Sequence, residues 1–386
     1  PEFRTMPKVP KNSDHGSNLS KEQFLGNKLY GREFHLRELI DVCLRMRSVC
    51  PPEIVLVSGR SGSGKTSLVQ TAIGPLREDG FCFISGKFDQ LQHAEPLSAI
   101  IYAFDKYFHD IIKSADGRSD LTRNAILEAT GDCAGVLAVF PALGKILEGH
   151  SMIPTQVGVK ETHHRFEYAF RSMVRAITTP SNPVVLFFDD LQWADAYSLH
   201  LIRALVTDKS IKHFLFIGCI RDDEVDITHP FATELYEIQM RSVAVTKIEV
   251  TNITKEEANA LITDAFHFSK KVTTFLTDLV YQKTNGNAFC ITQFLQSLCG
   301  ERLIQWSSVL KCWEIDTKSI ITQFVPEDVP DYSIRKLVRK ILQLPSKTQH
   351  ALQMMSCVGS KCSESTMLLF LDEEMIKRAD KPNQRN

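Results

Sequence analysis

The 386-residue chain contains no run of the roughly 18–20 apolar residues that a membrane-spanning helix needs, and no apolar segment of a secretion signal near its start. It has almost no net charge. The formal value is -1 and the sequence pI is about 7.0, so no global field pulls the chain toward nucleic acid or anionic lipid. None of its ten cysteines falls in a C-x-x-C pair; Cys357 and Cys362 lie close, but without the companion pair or histidines of a zinc site. Reduced thiols in cores are the reading, which suits a cytosolic or nuclear compartment. No internal repeat is found. What remains is an ordinary globular composition, 43% hydrophobic and 24% charged. The expectation is a soluble, cytoplasmic protein (the nucleus being the alternative), with no membrane partner and nucleic acid not anticipated.

Residues 1–18 are polar and aperiodic and read as a disordered tail. Ser20-Lys-Glu-Gln23 resembles a capping box. Apolar spacing predicts a helix over 33–47, stopped by Pro51-Pro52. Ile54-Val-Leu-Val57 is a continuous apolar run, as expected of a strand buried on both faces. A helix follows from Thr66 to Ile73, ended by Gly74-Pro75. Further strands are expected at 81–84, 184–188 and 213–217, with helices between 96 and 150 (broken at Asp116-Gly117, Gly131 and Pro141), at 164–177 and at 196–205. Strands alternating with helices argue for a parallel sheet covered on both faces. Past Val250 the strands give way to helices opened by the capping box Thr254-Lys-Glu-Glu257, with a short hairpin at 303–315. The fold class expected is α/β: a three-layer parallel sheet over 19–250, a helical lid over 251–325, and a partial winged-helix-like module over 326–376, before a loose tail at 377–386.

Gly59-Arg-Ser-Gly-Ser-Gly64-Lys65-Thr66 fits G-x-x-x-x-G-K-[ST] between a predicted strand and a predicted helix. The glycines let backbone N–H groups turn inward around phosphate oxygens. Lys65 supplies a point charge to the β- and γ-phosphates, and Thr66 a hydroxyl to Mg²⁺. The helix N-terminus adds a favourable partial charge. Gly59, Ser61, Gly62, Ser63, Gly64, Lys65, Thr66 and Ser67 are therefore the candidate phosphate-binding positions. Such a site needs a metal carboxylate at the end of a neighbouring strand, and Asp189-Asp190 follows Val184-Val-Leu-Phe-Phe188. Asp189 is assigned to Mg²⁺, through a coordinated water, and Asp190 to polarising the attacking water. The alternative for the pair is a polar loop. Asp195 reads more simply as a helix cap, and Trp193 as a packing residue.

These motifs resemble, in order, the signal-transduction ATPases with numerous domains, a branch close to the AAA+ ATPases. The resemblance rests on Leu29-Tyr-Gly-Arg-Glu33, the residues from Val57 to Thr66, and Phe187-Phe-Asp-Asp-Leu-Gln-Trp-Ala-Asp195. It continues in Phe216-Ile-Gly-Cys-Ile-Arg-Asp-Asp-Glu-Val225 and Thr284-Asn-Gly-Asn-Ala-Phe289. It implies that Leu29, Tyr30 and Arg32 lie near the adenine, that Arg221 approaches the γ-phosphate, and that Gly286 belongs to a lid over the nucleotide. Gly31-Arg32 as a simple turn, and Arg221 as a surface arginine, are the alternatives. Two departures are Ala288, where the family carries proline, and Asp190, where strongly hydrolysing members carry glutamate. Leu344 to Leu371 resembles the opening of a winged helix, and the chain ends before that module is complete, as a fragment would.

The function expected is an ATP-binding, Mg²⁺-dependent regulatory ATPase that turns over slowly. Its partners would be other proteins or missing C-terminal effector domains, with ATP-dependent oligomerisation. The alternatives are an origin-recognition-type ATPase acting on DNA, and a non-hydrolysing nucleotide-binding module of a larger kinase or cyclase. Neutral pI favours the first over the DNA-acting form.

Overall fold

The computed structural model describes residues 28–48, 51–90, 96–114, 118–147, 159–307, 309–324, 341–342 and 344–358. The two expected tails, the capping box at Ser20, the break at Asp116-Gly117 and most of the 326–376 module lie outside them. Contacts divide the chain into two compact units, one of Gly31–Asn252 and Ile334–Asn386, the other of Pro1–Tyr30 and Ile253–Ser333.

The larger unit is built on the apolar runs. β1 (Glu53–Ser58), β2 (Cys82–Lys87), β3 (Val184–Asp189), β4 (Phe214–Ile220) and β5 (Ala244–Glu249) form one sheet in the order β2-β3-β4-β1-β5. Every pairing is parallel. Ile54 to Val57 are at most 2% exposed, and all of Val184 to Phe188 are buried, because both sheet faces are covered. The covering helices are α1 (Glu33–Arg45), α2 (Lys65–Glu78), α3 (Ser98–Lys113), α4 (Arg118–Thr130), α5 (Pro141–Ile146), α6 (Val159–Ile177), α7 (Ala196–Val206) and α8 (Pro230–Met240). Between α4 and α6 the stacked rings of Phe140, Phe166 and Phe170 consolidate the helical insert against α3.

Parallel strands deliver all their carboxyl ends to one edge, and the order decides what meets there. The carboxylate strand β3 is not β1's hydrogen-bonded neighbour, as the sequence suggested; β4 lies between them, so Arg221, just past β4, emerges between the cradle and the two aspartates. The jump from β1 to the far edge at β2 opens the crevice where ligands of such sheets bind. Gly218 keeps this packing close. A Cβ there would fall 2.1 Å from Leu191 Cδ1.

Three elements differ from expectation. α2 does not end at Gly74-Pro75 but runs on to Glu78. Leu76 is buried on the same stripe as Leu68, Val69 and Ala72, and the Asp79 amide closes on the Pro75 carbonyl at 3.1 Å. Tertiary packing there outweighs the local breakers. β5 and α8 had no sequence signal strong enough to mark them. Of the β5 residues only Ile248 is buried, as befits an edge strand.

The smaller unit packs α9 (Lys255–Phe266), α10 (Lys270–Thr284), α11 (Ala288–Gly300) and α12 (Thr317–Phe324) with the hairpin β6 (Ile304–Ser307) and β7 (Cys312–Ile315). The capping box at α9 is complete: Thr254 N–H donates to Glu257 Oε2 (2.7 Å), and Glu257 N–H to Thr254 Oγ1 (3.2 Å). α13 (Ser346–Val358) begins directly after Pro345.

Candidate functional site

The phosphate loop takes its shape from its glycines. Gly59, Gly62 and Gly64 have φ of 147°, 76° and 101°, values that L-residues rarely adopt. Gly59 also touches backbone: a Cβ would stand 2.3 Å from the Val250 carbonyl oxygen. α2 starts at Lys65 with no side-chain cap, so its first N–H groups face the loop's interior. The Ser63 hydroxyl is buried there without a hydrogen-bond partner. An orphaned hydroxyl, a glycine cradle and an uncapped helix N-terminus together fit an anion the size of a phosphate.

Arg32 braces this loop. Its Nη2 donates to the Ser63 carbonyl at 3.1 Å and also to the Thr251 carbonyl. The structure therefore places Arg32 against the cradle's own backbone, only 5% exposed. Lys65 Nζ donates to the carbonyls of Gly59 (2.6 Å) and Arg60 (2.9 Å), leaving one of its three N–H groups for a ligand. Burial, and then Arg221's charge, hold its ammonium below the usual lysine range, against the opposing pull of Cys219 and the two aspartates.

Across the crevice, Thr66 Oγ1 donates to Asp189 Oδ2 at 2.9 Å. The hydroxyl and carboxylate assigned to a divalent cation thus stand together, as a shared metal requires. Thr66 and Asp189 would hold that ion, which would supply positive charge to offset that of the phosphates.

Asp190 has φ of 53°, a left-handed conformation that aspartate tolerates better than longer residues. Its backbone N–H donates to Asp189 Oδ1 at 3.1 Å. Oδ2 lies 2.7 Å from Lys87 Nζ. Oδ1 accepts from Gln192 Nε2 (3.1 Å) and faces Arg221 Nε at 3.3 Å. Burial alone would raise its pKa, but the bonds from Lys87 and Gln192 and the charges of Lys87 and Arg221 outweigh it and hold the carboxyl below the usual range.

Arg221 is fixed on several sides. Its guanidinium lies 4.5 Å over the Trp193 ring, Nη1 donates to Glu224 at 2.7 Å, and its backbone N–H donates to Gln192 Oε1 at 3.2 Å. His229 Nδ1 accepts from the Phe231 amide, so the proton sits on Nε2, which donates to the Gln192 carbonyl at 3.0 Å. Beneath the cradle the Cys219 thiol is pushed far up in pKa, by burial first and then by Asp189.

Asp195 caps α7: Oδ1 accepts from Ser198 N–H (2.9 Å), and Oδ2 from Ser198 Oγ (2.6 Å) and Leu97 N–H (3.2 Å). Gly59 to Thr66, Arg32, Asp189, Asp190 and Arg221 all belong to the larger unit. Leu29, Tyr30 and Gly286 belong to the smaller one, where Tyr30 Oη donates to Asp264 and Gly286 packs on the Ile253 carbonyl, 2.2 Å from where a Cβ would sit. Lys87, Gln192 and His229 are the site residues that motif reading overlooked. Gln192 lies within the stretch from Phe187 to Asp195; Lys87 carries no local signal, because only strand register sets it opposite Asp189.

Residues 28–217 match the family model of the AAA ATPase domain. That stretch, just under half of the chain, is similar to an AAA ATPase domain. Over 416 aligned residues the chain is 26% identical to hybrid signal transduction histidine kinase G of Dictyostelium discoideum, which covers 91% of the chain. The chain spans only 12% of that relative's length. Among solved structures, the Aeropyrum pernix ORC2 protein in its ADPNP–ADP complexes aligns at 10% identity and a TM-score of 0.47, covering 92% of this chain and 88% of that one. The signal transduction ATPase with a tetratricopeptide repeat sensor from Pyrococcus horikoshii aligns at 12% identity and a TM-score of 0.36, covering 81% and 39%. The larger unit has the fold of a P-loop NTPase, with its cradle at the carboxyl edge of the sheet.

Proposed function

We propose that the chain is the ATP-dependent switch of a larger signalling protein, binding ATP with Mg²⁺ and hydrolysing it slowly. The observation that carries this reading is the state of Asp190. Both oxygens of the candidate base are engaged, by Lys87 on one side and by Gln192 and Arg221 on the other. A carboxylate so neutralised is a weak acceptor for a water proton. Catalysis therefore waits on a rearrangement, and a site that waits suits a switch better than a motor.

In this reading Lys65, the backbone of Gly59, Ser61, Gly62, Ser63 and Gly64, and Ser67 hold the phosphates. Thr66 and Asp189 hold the metal. Arg221 meets the γ-phosphate, where its charge stabilises the transferring phosphoryl group. Leu29, Tyr30 and Arg32 would lie toward the adenine, and Gly286 in the lid element, as in the signal-transduction ATPases with numerous domains. Closure on ATP and release after hydrolysis would shift the population of two arrangements. Partners would be protein segments of the same signalling assembly, in the cytoplasm.

The likeness to a hybrid signal transduction histidine kinase, of which the chain spans 12%, supports the second reading, a nucleotide-binding module without turnover inside a large kinase. Calorimetry with ATP, ADP and GTP, repeated on Lys65→Ala, tests the binding: retained ATP affinity in that variant would sink the assignment. Steady-state turnover of the wild type and Asp190→Asn separates the two readings. A slow rate abolished by the substitution supports the switch, and no rate in either supports the silent module.

A further inference from the structure

Arg32 reaches two backbone carbonyls with a single nitrogen. Its Nη2 donates to Ser63 O at 3.1 Å and to Thr251 O, carbonyls 31 and 219 residues further along the chain. We propose that Arg32 is a positioning residue of the phosphate cradle: by holding the Ser63 carbonyl it keeps the Gly64 N–H turned toward the phosphate chain, whatever base the nucleotide carries. The proposal deepens the ATP-binding reading above and rests on it. It gives Arg32 a role different from the adenine contact that the family resemblance implies.

The peptide between Ser63 and Gly64 is what needs holding. It is planar and trans, so its C=O and N–H point in opposite directions. Gly64 has φ of 101°, and no atom lies within 4 Å of where a Cβ would stand. Glycine takes positive and negative φ about equally well, so sterics alone do not stop this peptide from turning over. Turned over, it would present a carbonyl where an anion needs a donor. The preceding amide is no substitute, because Ser63 N–H already donates to the Arg60 carbonyl at 3.2 Å. The bond from Arg32 fixes the orientation. Its charge also polarises the peptide, which makes the N–H on the opposite side a better donor.

The brace has a fixed foot. Thr251 follows Val250, whose N–H donates to the Ser58 carbonyl at 2.7 Å, so this stretch is tied to the end of β1. Arg32, Ser63 and Thr251 all belong to the larger unit. Two N–H groups diverging from one planar nitrogen suit two carbonyls at once. A lysine ammonium offers the charge without that fixed fork.

The test is calorimetric titration of the full chain, in Mg²⁺, with ATP and with tripolyphosphate, which carries the phosphates and no base. Tripolyphosphate is read by its displacement of ATP. Arg32→Ala should lower the affinity for both by the same factor, about 10- to 100-fold, the usual worth of a charge-assisted hydrogen bond. Arg32→Lys should recover part of both losses in the same ratio. An arginine that only supports the fold would lower the urea midpoint and leave the folded protein's tripolyphosphate affinity at the wild-type value. A loss confined to ATP overturns the proposal and returns Arg32 to the adenine. No loss with either ligand, or no displacement of ATP by tripolyphosphate in the wild type, overturns it as well. Should Arg32→Ala fail to fold, Arg32→Lys decides by the same criterion of equal ratios. If the wild type binds neither ligand, it is the ATP-binding reading that has failed; if it binds both and Lys65→Ala abolishes them while Arg32→Ala does not weaken them, the failure is confined to Arg32.

Discussion

Thr66 Oγ1 donates to Asp189 Oδ2 at 2.9 Å, joining the first turn of α2 to the end of a strand two positions away in the sheet. The pair presents a hydroxyl and a carboxylate to the same point. Thr66→Ala should therefore weaken nucleotide binding about 10- to 100-fold in the presence of Mg²⁺, a typical effect at metal sites, and change it little in EDTA. Parallel titrations with and without the metal check this. Equal losses in both conditions would show that Thr66 contacts the nucleotide directly.

Gly59 and Gly64 make a contrast within one loop. Both have positive φ, but a Cβ at Gly59 would also meet the Val250 carbonyl at 2.3 Å, whereas at Gly64 nothing lies within 4 Å. Gly64→Ala should cost about 1–2 kcal/mol, the left-handed penalty alone. Gly59→Ala should cost clearly more, because backbone must also shift. Urea midpoints for the two variants, with unchanged slopes, decide the order.

Asp190 gives a pH dependence whose sign follows from its partners. Its folded pKa is depressed, so its contribution to stability is present above the unfolded value of about 3.9. It disappears as pH falls through the lower folded value. Asp190→Asn should flatten the acid limb of stability below about pH 4 while leaving the slope near neutrality unchanged. Denaturant midpoints measured across pH for both proteins would show it. Parallel acid limbs would mean that the charges around Asp190 do not favour its ionised form.

Asp195 accepts from Ser198 N–H, Ser198 Oγ and Leu97 N–H. Asp195→Ala should lower stability by about 1 kcal/mol, the common cost of a lost N-cap. A thermal scan gives the first quantity and nucleotide titration the second, which should hold steady. Loss of affinity with unchanged stability would assign Asp195 to ligand binding instead of capping.

Much of this site could be read from residue order because its chemistry is local. A strand, six residues of turn and a helix start are consecutive, and their glycines carry the meaning. The aspartates at 189 and 190 were visible for the same reason, standing directly after a wholly apolar strand. Lys87 was invisible because its partner lies in β3, and only sheet register brings the two ends together. β5 was missed because an edge strand such as Ala244–Glu249, with only Ile248 buried, lacks the apolar run of its inner neighbours. The continuation of α2 through Gly74-Pro75 was missed because the reward, the burial of Leu76, comes from the rest of the fold. Arg32 is a related case. The turn at Gly31 was legible, but the Ser63 carbonyl it reaches is 31 residues further on.

The bond from Leu97 N–H to Asp195 Oδ2 reaches beyond stability. It stitches the chain leaving β2 to the chain leaving β3, so both ends of the segment between Lys87 and α3 are anchored to the carboxylate strand: Phe88 N–H on the Asp189 carbonyl at 3.1 Å, and Leu97 on Asp195. α3 starts one residue later and carries the phenylalanine-packed insert. The loop that carries Asp189 and Asp190 and the foot of the phenylalanine-packed insert thus share one framework.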